Sequence, residues 1–369
     1  MSDRPLRVGI VGGGQLGRML ALAGHDLGIA CTTLDPGIHT PASAVAPAIV
    51  GDYDDRERLA ELAFGSDVVT YEFENVPVEA ALFVETMRPV WPPPAALEAA
   101  QDRLTEKQLF TTVGLPVPMY SPVDSLAGLD EALERLGTPA VLKTRRLGYD
   151  GKGQAVINDP LLAEDAWRSV GEVPCLLEAL VGFDRELSIV AARGADGETV
   201  CYPLVENHHA EGILRRTLAP APELDPELQL AAEAHAHAVM AELGYVGVLA
   251  IELFQVGESL LGNEMAPRVH NSGHWTIEGA ETSQFENHLR AVSGLPLGPT
   301  DLVGMSAMVN LIGEMPDLAA VMAVPGAHLH DYGKEPRPGR KLGHVTVSAE
   351  DVTELQPRLD AVLQLTGER

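Results

Sequence analysis

The chain has 369 residues, 46% of them hydrophobic and 21% charged, the make-up of a globular protein with material for two or three domains. Its net charge of −27 argues against nucleic acid or an anionic membrane as partner, and no apolar run reaches the roughly 18 residues that span a bilayer. Cys31, Cys175 and Cys201 are far apart and odd in number, which suits neither a disulfide framework nor a zinc site. Together with an N-terminus that enters a strand without the apolar stretch and cleavage site of a signal peptide, they point to a reducing cytoplasm.

Residues 6–11 read as an apolar strand, Gly12-Gly13-Gly14-Gln15-Leu16-Gly17 as a turn, and Arg18 onward as a helix. A second strand, 29–35, ends on Asp35. Glycines at such a turn let the backbone approach a ligand whose phosphate sits on the helix N-terminus. The spacing Gly12-x-Gly14-x-x-Gly17, with Asp35 downstream, meets the dinucleotide fingerprint literally, although α/β domains of other function open the same way. Residues 67–71 form another strand, with Glu72 at its C-terminal end, where open α/β sheets bind ligands. A ligand contact and a helix cap ahead of Pro77 fit Glu72 equally. Trp91-Pro92-Pro93-Pro94 is a stiff connector that closes a first domain.

Residues 95–112 read as one helical stretch, containing Asp102-Arg103-Leu104-Thr105-Glu106-Lys107. The strand 139–143 ends on Lys143. After it comes a glycine loop containing Gly148-Tyr149-Asp150-Gly151-Lys152-Gly153-Gln154. It is not a Walker loop, because no helix follows and the Gly-Lys-Ser/Thr ending is absent. Residues 143–152 carry four cations and 334–341 four more; in so acidic a chain both are candidate anion sites. Residues 175–181 form a strand with one acid, Glu178, and 183–190 another. Strand 201–206 is followed by Asn207-His208-His209, where adjacent histidines suit hydrogen bonding better than metal ligation. Helices are expected at 228–243, at 281–293 and at 352–365, and a strand at 305–312. The basic segment from Lys334 through Arg340 and Lys341 lies between strands at 328–332 and 344–347. It is therefore a loop, of the kind that captures a phosphate.

Residues 248–275 are the most informative. Residues 248–254 are apolar apart from Glu252, and Gly257-Glu258-Ser259 reads as a three-residue hairpin loop. Folding about Glu258 pairs Phe254 with Gly262 and sets Glu252 opposite Glu264, both on one face. Like charges directly opposite destabilise a sheet. Either a hard divalent cation, commonly Mg²⁺ shared with substrate phosphates, neutralises them, or they are two solvated glutamates. The polar run Arg268-Val269-His270-Asn271-Ser272-Gly273-His274 follows directly and favours a site.

The order of strand-lysine, glycine loop, strand-glutamate and paired glutamates resembles the ATP-grasp enzymes. Within them it resembles the family of 5-(carboxyamino)imidazole ribonucleotide synthases of purine biosynthesis. The matching motifs are residues 12–19, 148–153, 263–274 and 337–344, spread over nearly the whole chain. Leu147 stands where a glycine is frequent and Lys152 where an arginine is frequent. The resemblance implies an α/β (α+β ATP-grasp) fold. A Rossmann-like parallel-sheet domain would take residues 1–94 and a two-lobed ATP-grasp domain residues 95–300, with a small lobe at about 114–174 and a large lobe at about 175–300. A small β-rich domain would take residues 301–369.

The resemblance also implies a ligase that phosphorylates bicarbonate with ATP and carboxylates 5-aminoimidazole ribonucleotide. Glu252 and Glu264 would hold Mg²⁺, or Mn²⁺ in its place. ATP would contact Arg103, Lys143, the 148–154 loop, Glu178, Ala179, Leu180, Val181, Glu186, His209, Asn263 and Glu264. Tyr149, Asp150, Lys152, Arg268 and His270 would serve catalysis, Asp150 by orienting the amine. Gln15, Leu16 and Glu72 would contact the ribonucleotide, with Lys334, Arg340 and Lys341 on its phosphate. A cytoplasmic homodimer is the family expectation. The alternatives are another ATP-grasp ligase, such as a formate-dependent glycinamide ribonucleotide transformylase, and a nicotinamide-dependent oxidoreductase resting on the glycine fingerprint.

Overall fold

The computed structural model describes residues 4–148 and 152–368. At the N-terminus, four parallel strands lie in the order Ala48–Val50, Ala30–Asp35, Arg7–Val11, Val68–Tyr71. The strands Arg7–Val11 and Val68–Tyr71 are apolar and almost wholly buried, as strands covered by helices on both faces must be. All four run the same way, so their C-terminal ends gather the glycine turn and Glu72 at one edge.

The rest of the chain is antiparallel. A four-stranded sheet runs Tyr120–Val123, Cys175–Ala179, Ala140–Thr144, Gln154–Ile157. It packs on helices Leu126–Leu136 and Ala163–Ser169 through Val123, Leu133, Leu142, Trp167 and Leu177. A nine-stranded sheet begins with the hairpin Ser259–Ala266 and Gly247–Val256 and continues through Arg185–Arg193, Val205–Ala210 and Ile213–Ala219. It then passes without a break into Met305–Ile312, Lys341–Ala349 and Ala327–Asp331; the short Thr199–Cys201 pairs at its side. The C-terminal strands thereby lie in one sheet with the paired glutamates. Among the described residues, no helix is long and apolar enough to cross a membrane.

Four local expectations differ from what is observed, the simplest being that Lys341, expected in a loop, opens the strand Lys341–Ala349. The helical stretch 95–112 is two helices, Pro94–Gln101 and Arg103–Thr112. Asp102 breaks it with an extended φ of −129°. Its carboxylate accepts the Leu104 N–H at 3.0 Å and two hydrogen bonds from Arg145, at 3.0 and 2.6 Å. An aspartate that caps the second helix cannot also continue the first. The β stretch expected at 201–206 is interrupted between Thr199–Cys201 and Val205–Ala210, where Pro203 has no N–H to give a ladder.

The hairpin loop is two residues, Gly257 and Glu258, since Val256 pairs with Ser259. Gly257 has φ of +57° and Glu258 does not share a positive φ, the pattern of a turn that takes glycine first. This register places Phe254 opposite Leu261 rather than Gly262. Carried on unchanged, it would set Glu252 against Asn263. A bulge at Asn263 inserts one residue and brings Glu264 opposite Glu252 after all. The two deviations from the expected hairpin cancel at the carboxylates.

Candidate active site

Glu252 lies on a central strand, between Ser188 on one side and Glu264 on the other. Burial and the neighbouring Glu264 push its carboxyl up to about 7. Glu264 faces the interior of a cavity and is ion-paired with Arg103 at 2.9 Å. Burial opposes its ionisation, but the Arg103 guanidinium and the Lys143 and Lys107 ammoniums outweigh it and hold it below the usual carboxylate range. The solvated-glutamate alternative does not suit Glu252, whose side chain is 15% exposed and resists ionisation; Glu264, 42% exposed, opens into the cavity and is held ionised by Arg103.

The cavity they face has a volume of ≈ 450 Å³. Arg103, Lys143 and Arg145 supply cations to one wall and Phe254 and Leu180 apolar surface to another. Lys143 Nζ is held at 2.8 Å by Glu178, which also lies 3.5 Å from the fully buried Lys107. Glu178 is buried, yet the two ammoniums outweigh its desolvation and keep it ionised. His209 is hydrogen-bonded through Nδ1 to Glu186. Burial disfavours the charged ring, but this bond and the nearby Glu252 raise its pKa.

From the 268–274 run, Arg268, His270, Asn271 and His274 also line the cavity. Arg268 is ion-paired through Nε with Glu74 at 2.5 Å and donates to the Val269 carbonyl. His270 is held by Gln284, which accepts its backbone N–H at 2.9 Å and donates to its carbonyl at 2.6 Å. Burial, then Arg268 and Lys341, lower its pKa well below the ordinary value, so the ring is neutral and 3.7 Å from Glu252. A cationic guanidinium can hold a small oxyanion, and a neutral imidazole beside it adds no repelling or competing charge of its own.

At the N-terminal sheet, Glu72 is buried and accepts the backbone N–H groups of Gly14 and Gly17, the latter at 2.5 Å. A Cβ on Gly12 would collide with its side chain, and Gly12 has φ of +110°, so glycine is required there. Asp35 accepts from Gly13 N–H and from the Tyr53 hydroxyl. The dinucleotide fingerprint is thus filled by the protein itself: a carboxylate occupies the helix N-terminus where a pyrophosphate would sit. Gln15 faces the cavity instead, and its Oε1 accepts from Lys334 Nζ at 2.5 Å. Burial and Arg340 lower the Lys334 pKa to about 8.

Of the residues expected from sequence, Gln15, Leu16, Arg103, Lys143, Gly148, Gln154, Leu180, Glu186, His209, Glu252, Asn263, Glu264, Arg268, His270 and Lys341 line one cavity. Glu72, Lys152, Gly153, Glu178, Ala179, Val181, Lys334 and Arg340 do not line it. Tyr149, Asp150 and Gly151 lie outside the described residues. Sequence reasoning gave no role to Glu74, Glu106, Lys107 or Gln284. Glu106 and Lys107 sit three and four residues beyond Arg103, the spacing of a shared helix face, which could have flagged them. Gln284 comes from a distant helix, and nothing local marks it.

The donor set suits a hard divalent cation. Two carboxylates stand opposite each other, and Asn263 Oδ1 is buried with no hydrogen-bond partner among the described residues. A pH dependence follows. Glu252 has a folded pKa above its ordinary 4.5, so between those values the folded protein binds the extra proton. Without a cation, stability falls as pH rises through that window. A cation must displace the proton below pH 7. Binding of Mg²⁺ with ADP is expected to release up to about one proton at pH 6 and to tighten up to about tenfold per pH unit until the carboxyl has ionised. Calorimetry in buffers of differing ionisation enthalpy measures this; no proton release at pH 6 would contradict the assignment.

Three family models match the chain: the ribonucleotide synthetase preATP-grasp domain over residues 6–101, the ATP-grasp domain over 108–285, and the phosphoribosylaminoimidazole carboxylase C-terminal domain over 306–358. The chain is 52% identical to the N5-carboxyaminoimidazole ribonucleotide synthase of Pseudomonas aeruginosa, across 97% of its own length and 98% of that protein's. Among solved structures, the N5-carboxyaminoimidazole ribonucleotide synthetase of Thermus thermophilus superposes with a TM-score of 0.95 at 56% identity, covering 98% of this chain and 99% of that one. The N5-carboxyaminoimidazole synthase of Aspergillus clavatus, in complex with ADP and 5-aminoimidazole ribonucleotide, gives 0.90 at 31% identity, covering 98% and 99%.

Proposed function

The chain belongs to the N5-carboxyaminoimidazole ribonucleotide synthases, a family of ATP-grasp ligases, and from that premise we propose how its cavity carries out ATP- and bicarbonate-dependent carboxylation of 5-aminoimidazole ribonucleotide in purine biosynthesis. A bicarbonate oxygen attacks the γ-phosphorus of ATP, ADP leaves, and carboxyphosphate forms. The exocyclic amine then attacks the carboxyl carbon, phosphate departs, and the amine loses a proton. Phosphoryl transfer asks the protein for positioning and charge neutralisation more than for covalent help.

Glu252 and Glu264 would hold Mg²⁺, or Mn²⁺ in its place, which when bound offsets the charge of the ATP phosphates. Lys143 and Arg103 flank those phosphates, Leu180 and the strand end beside it face the adenine, and Glu186 with His209 takes the ribose. Arg268 holds bicarbonate and the carboxyphosphate it becomes, and neutral His270 beside it orients them by hydrogen bonding. Gln15, Leu16 and Lys341 receive the ribonucleotide. Lys152, Tyr149 and Asp150 complete the set, Asp150 orienting the amine. Glu72 acts from behind by shaping the glycine turn that presents Gln15. A cytoplasmic homodimer belongs to the same proposal, and light scattering reads its mass.

The observation that supports this division most is one cavity lined by Lys143, the carboxylate pair, Arg268 and His270, with Gln15 and Lys341 also lining it. The test is ADP release on addition of substrates. Release that needs both aminoimidazole ribonucleotide and bicarbonate supports the reading; release with formate and glycinamide ribonucleotide sinks it. Lys341→Ala is expected to weaken ribonucleotide binding about tenfold while ATP binding changes little, since one charge-assisted contact contributes roughly 1.5–3 kcal/mol. Equal losses for both ligands would contradict the division of sites.

A further inference from the structure

The helix Arg103–Thr112 supplies more than one arginine to the site. Arg103, Glu106 and Lys107 share a helix face, and together they grip four consecutive residues of the strand Ser259–Ala266. Lys107 Nζ donates to the carbonyls of Gly262 at 3.1 Å and Asn263 at 2.7 Å. Glu106 accepts the Met265 N–H at 2.6 Å, and Arg103 holds the Glu264 carboxylate between them at 2.9 Å. The approach is close: a Cβ on Gly262 would come within 2.9 Å of the Phe110 and Leu115 side chains.

These are the residues of the bulge. Asn263 is the extra residue, and the strand that carries it is the edge of its sheet, so its outward backbone groups have no neighbouring strand to pair with. A buried carbonyl without a partner is costly, and the ammonium of Lys107, with no exposed surface, satisfies two. Lys107 does not line the cavity, whereas Glu106 does. Glu178 balances the charge of Lys107 at 3.5 Å.

The geometry points to Lys107 and Glu106 as positioning residues for the metal-ligating carboxylates: they hold the bulge at Asn263 that sets Glu264 opposite Glu252. This rests on the reading of Glu252 and Glu264 as the cation's ligands. Without the bulge, the count from the two-residue turn sets Asn263 against Glu252. A one-residue slip then turns the Glu264 carboxylate to the other face of the sheet.

The experiment measures Mn²⁺ binding to the full-length protein with ADP, by the electron paramagnetic resonance of free Mn²⁺, alongside ADP binding without metal. Lys107→Met is expected to raise the Mn²⁺ Kd about tenfold or more while the metal-free ADP Kd stays within about threefold. Glu106→Leu should behave alike. Glu106→Gln keeps an acceptor for the Met265 N–H and should bind Mn²⁺ as the wild type does. If Lys107→Met does not fold, the two Glu106 variants decide. Parallel loss of both affinities, loss of neither, or equal defects in Glu106→Gln and Glu106→Leu overturns the proposal. Glu264→Gln separates the two layers. Normal Mn²⁺ binding by that variant removes the ligand assignment itself, whereas Mn²⁺ lost in Glu264→Gln but kept in Lys107→Met removes only the role of the bulge.

Discussion

Glu264→Gln is expected to lower metal-dependent turnover by about 10²–10³-fold, the range seen when one preorganised electrostatic group is removed from an active site. The substitution keeps volume and an acceptor for Arg103 but halves the carboxylate charge of the pair. The fold should survive it. Glu264 attracts Arg103, yet it also raises the pKa of both Glu252 and Glu106, after burial the largest influence on each. Removing its charge loses the attractions of Arg103, Lys143 and Lys107 and relieves the repulsion of Glu252, Glu106 and Glu74. The Glu252 carboxyl should consequently move down toward its ordinary range. Steady-state ADP release at varied Mg²⁺, with circular dichroism on the same samples, checks both halves. Near-full activity would refute the metal assignment.

Arg268→Met should carry the largest stability cost, about 3–5 kcal/mol, the usual consequence of removing one partner of a buried ion pair. Arg268 and Glu74 meet 2.5 Å apart, with 14% and 27% of their side chains exposed. Burial opposes ionisation of Glu74, and Arg268 outweighs it, so the carboxyl is held below its ordinary value. In the wild type this contribution is present above the ordinary carboxylate range and is lost as pH falls through the folded pKa. In the variant, burial acts alone and the shift reverses. The gap between variant and wild type should then be widest near neutrality and narrow on acidification. Glu74→Gln added to Arg268→Met should recover most of the stability and none of the carboxylation, since the glutamine needs no counter-charge but the methionine cannot hold bicarbonate as Arg268 does. Thermal unfolding of all four combinations at pH 7 and pH 5 reads this. A gap that does not depend on pH would show that packing, not the charge pair, sets the cost.

Much of the site was legible before the fold was. The motif residues Arg268, His270, Asn263 and Glu264 and the strand-ending Lys143 carry distinctive side chains in tight local order, and such order survives folding. The strand Met305–Ile312 matched its apolar run at both ends, because a buried strand must read as an apolar run. What failed was local geometry set by one side chain choosing between partners. Asp102 ended a helix by capping the next one and holding Arg145. Glu72 and Asp35 filled the glycine turn that looked ready for a dinucleotide.

The pairing of Glu252 with Glu264 shows the division most plainly. Sequence alone determined that two glutamates sit on adjoining strands of one hairpin and that a family of carboxylating ligases shares the run after them. It predicted their register through a loop one residue too long and a strand one residue too regular. Tertiary structure decided the register, because the bulge at Asn263 lies where the edge strand meets a buried lysine and glutamate on a helix more than 150 positions earlier in the chain, a distance over which no local pattern of residues carries information.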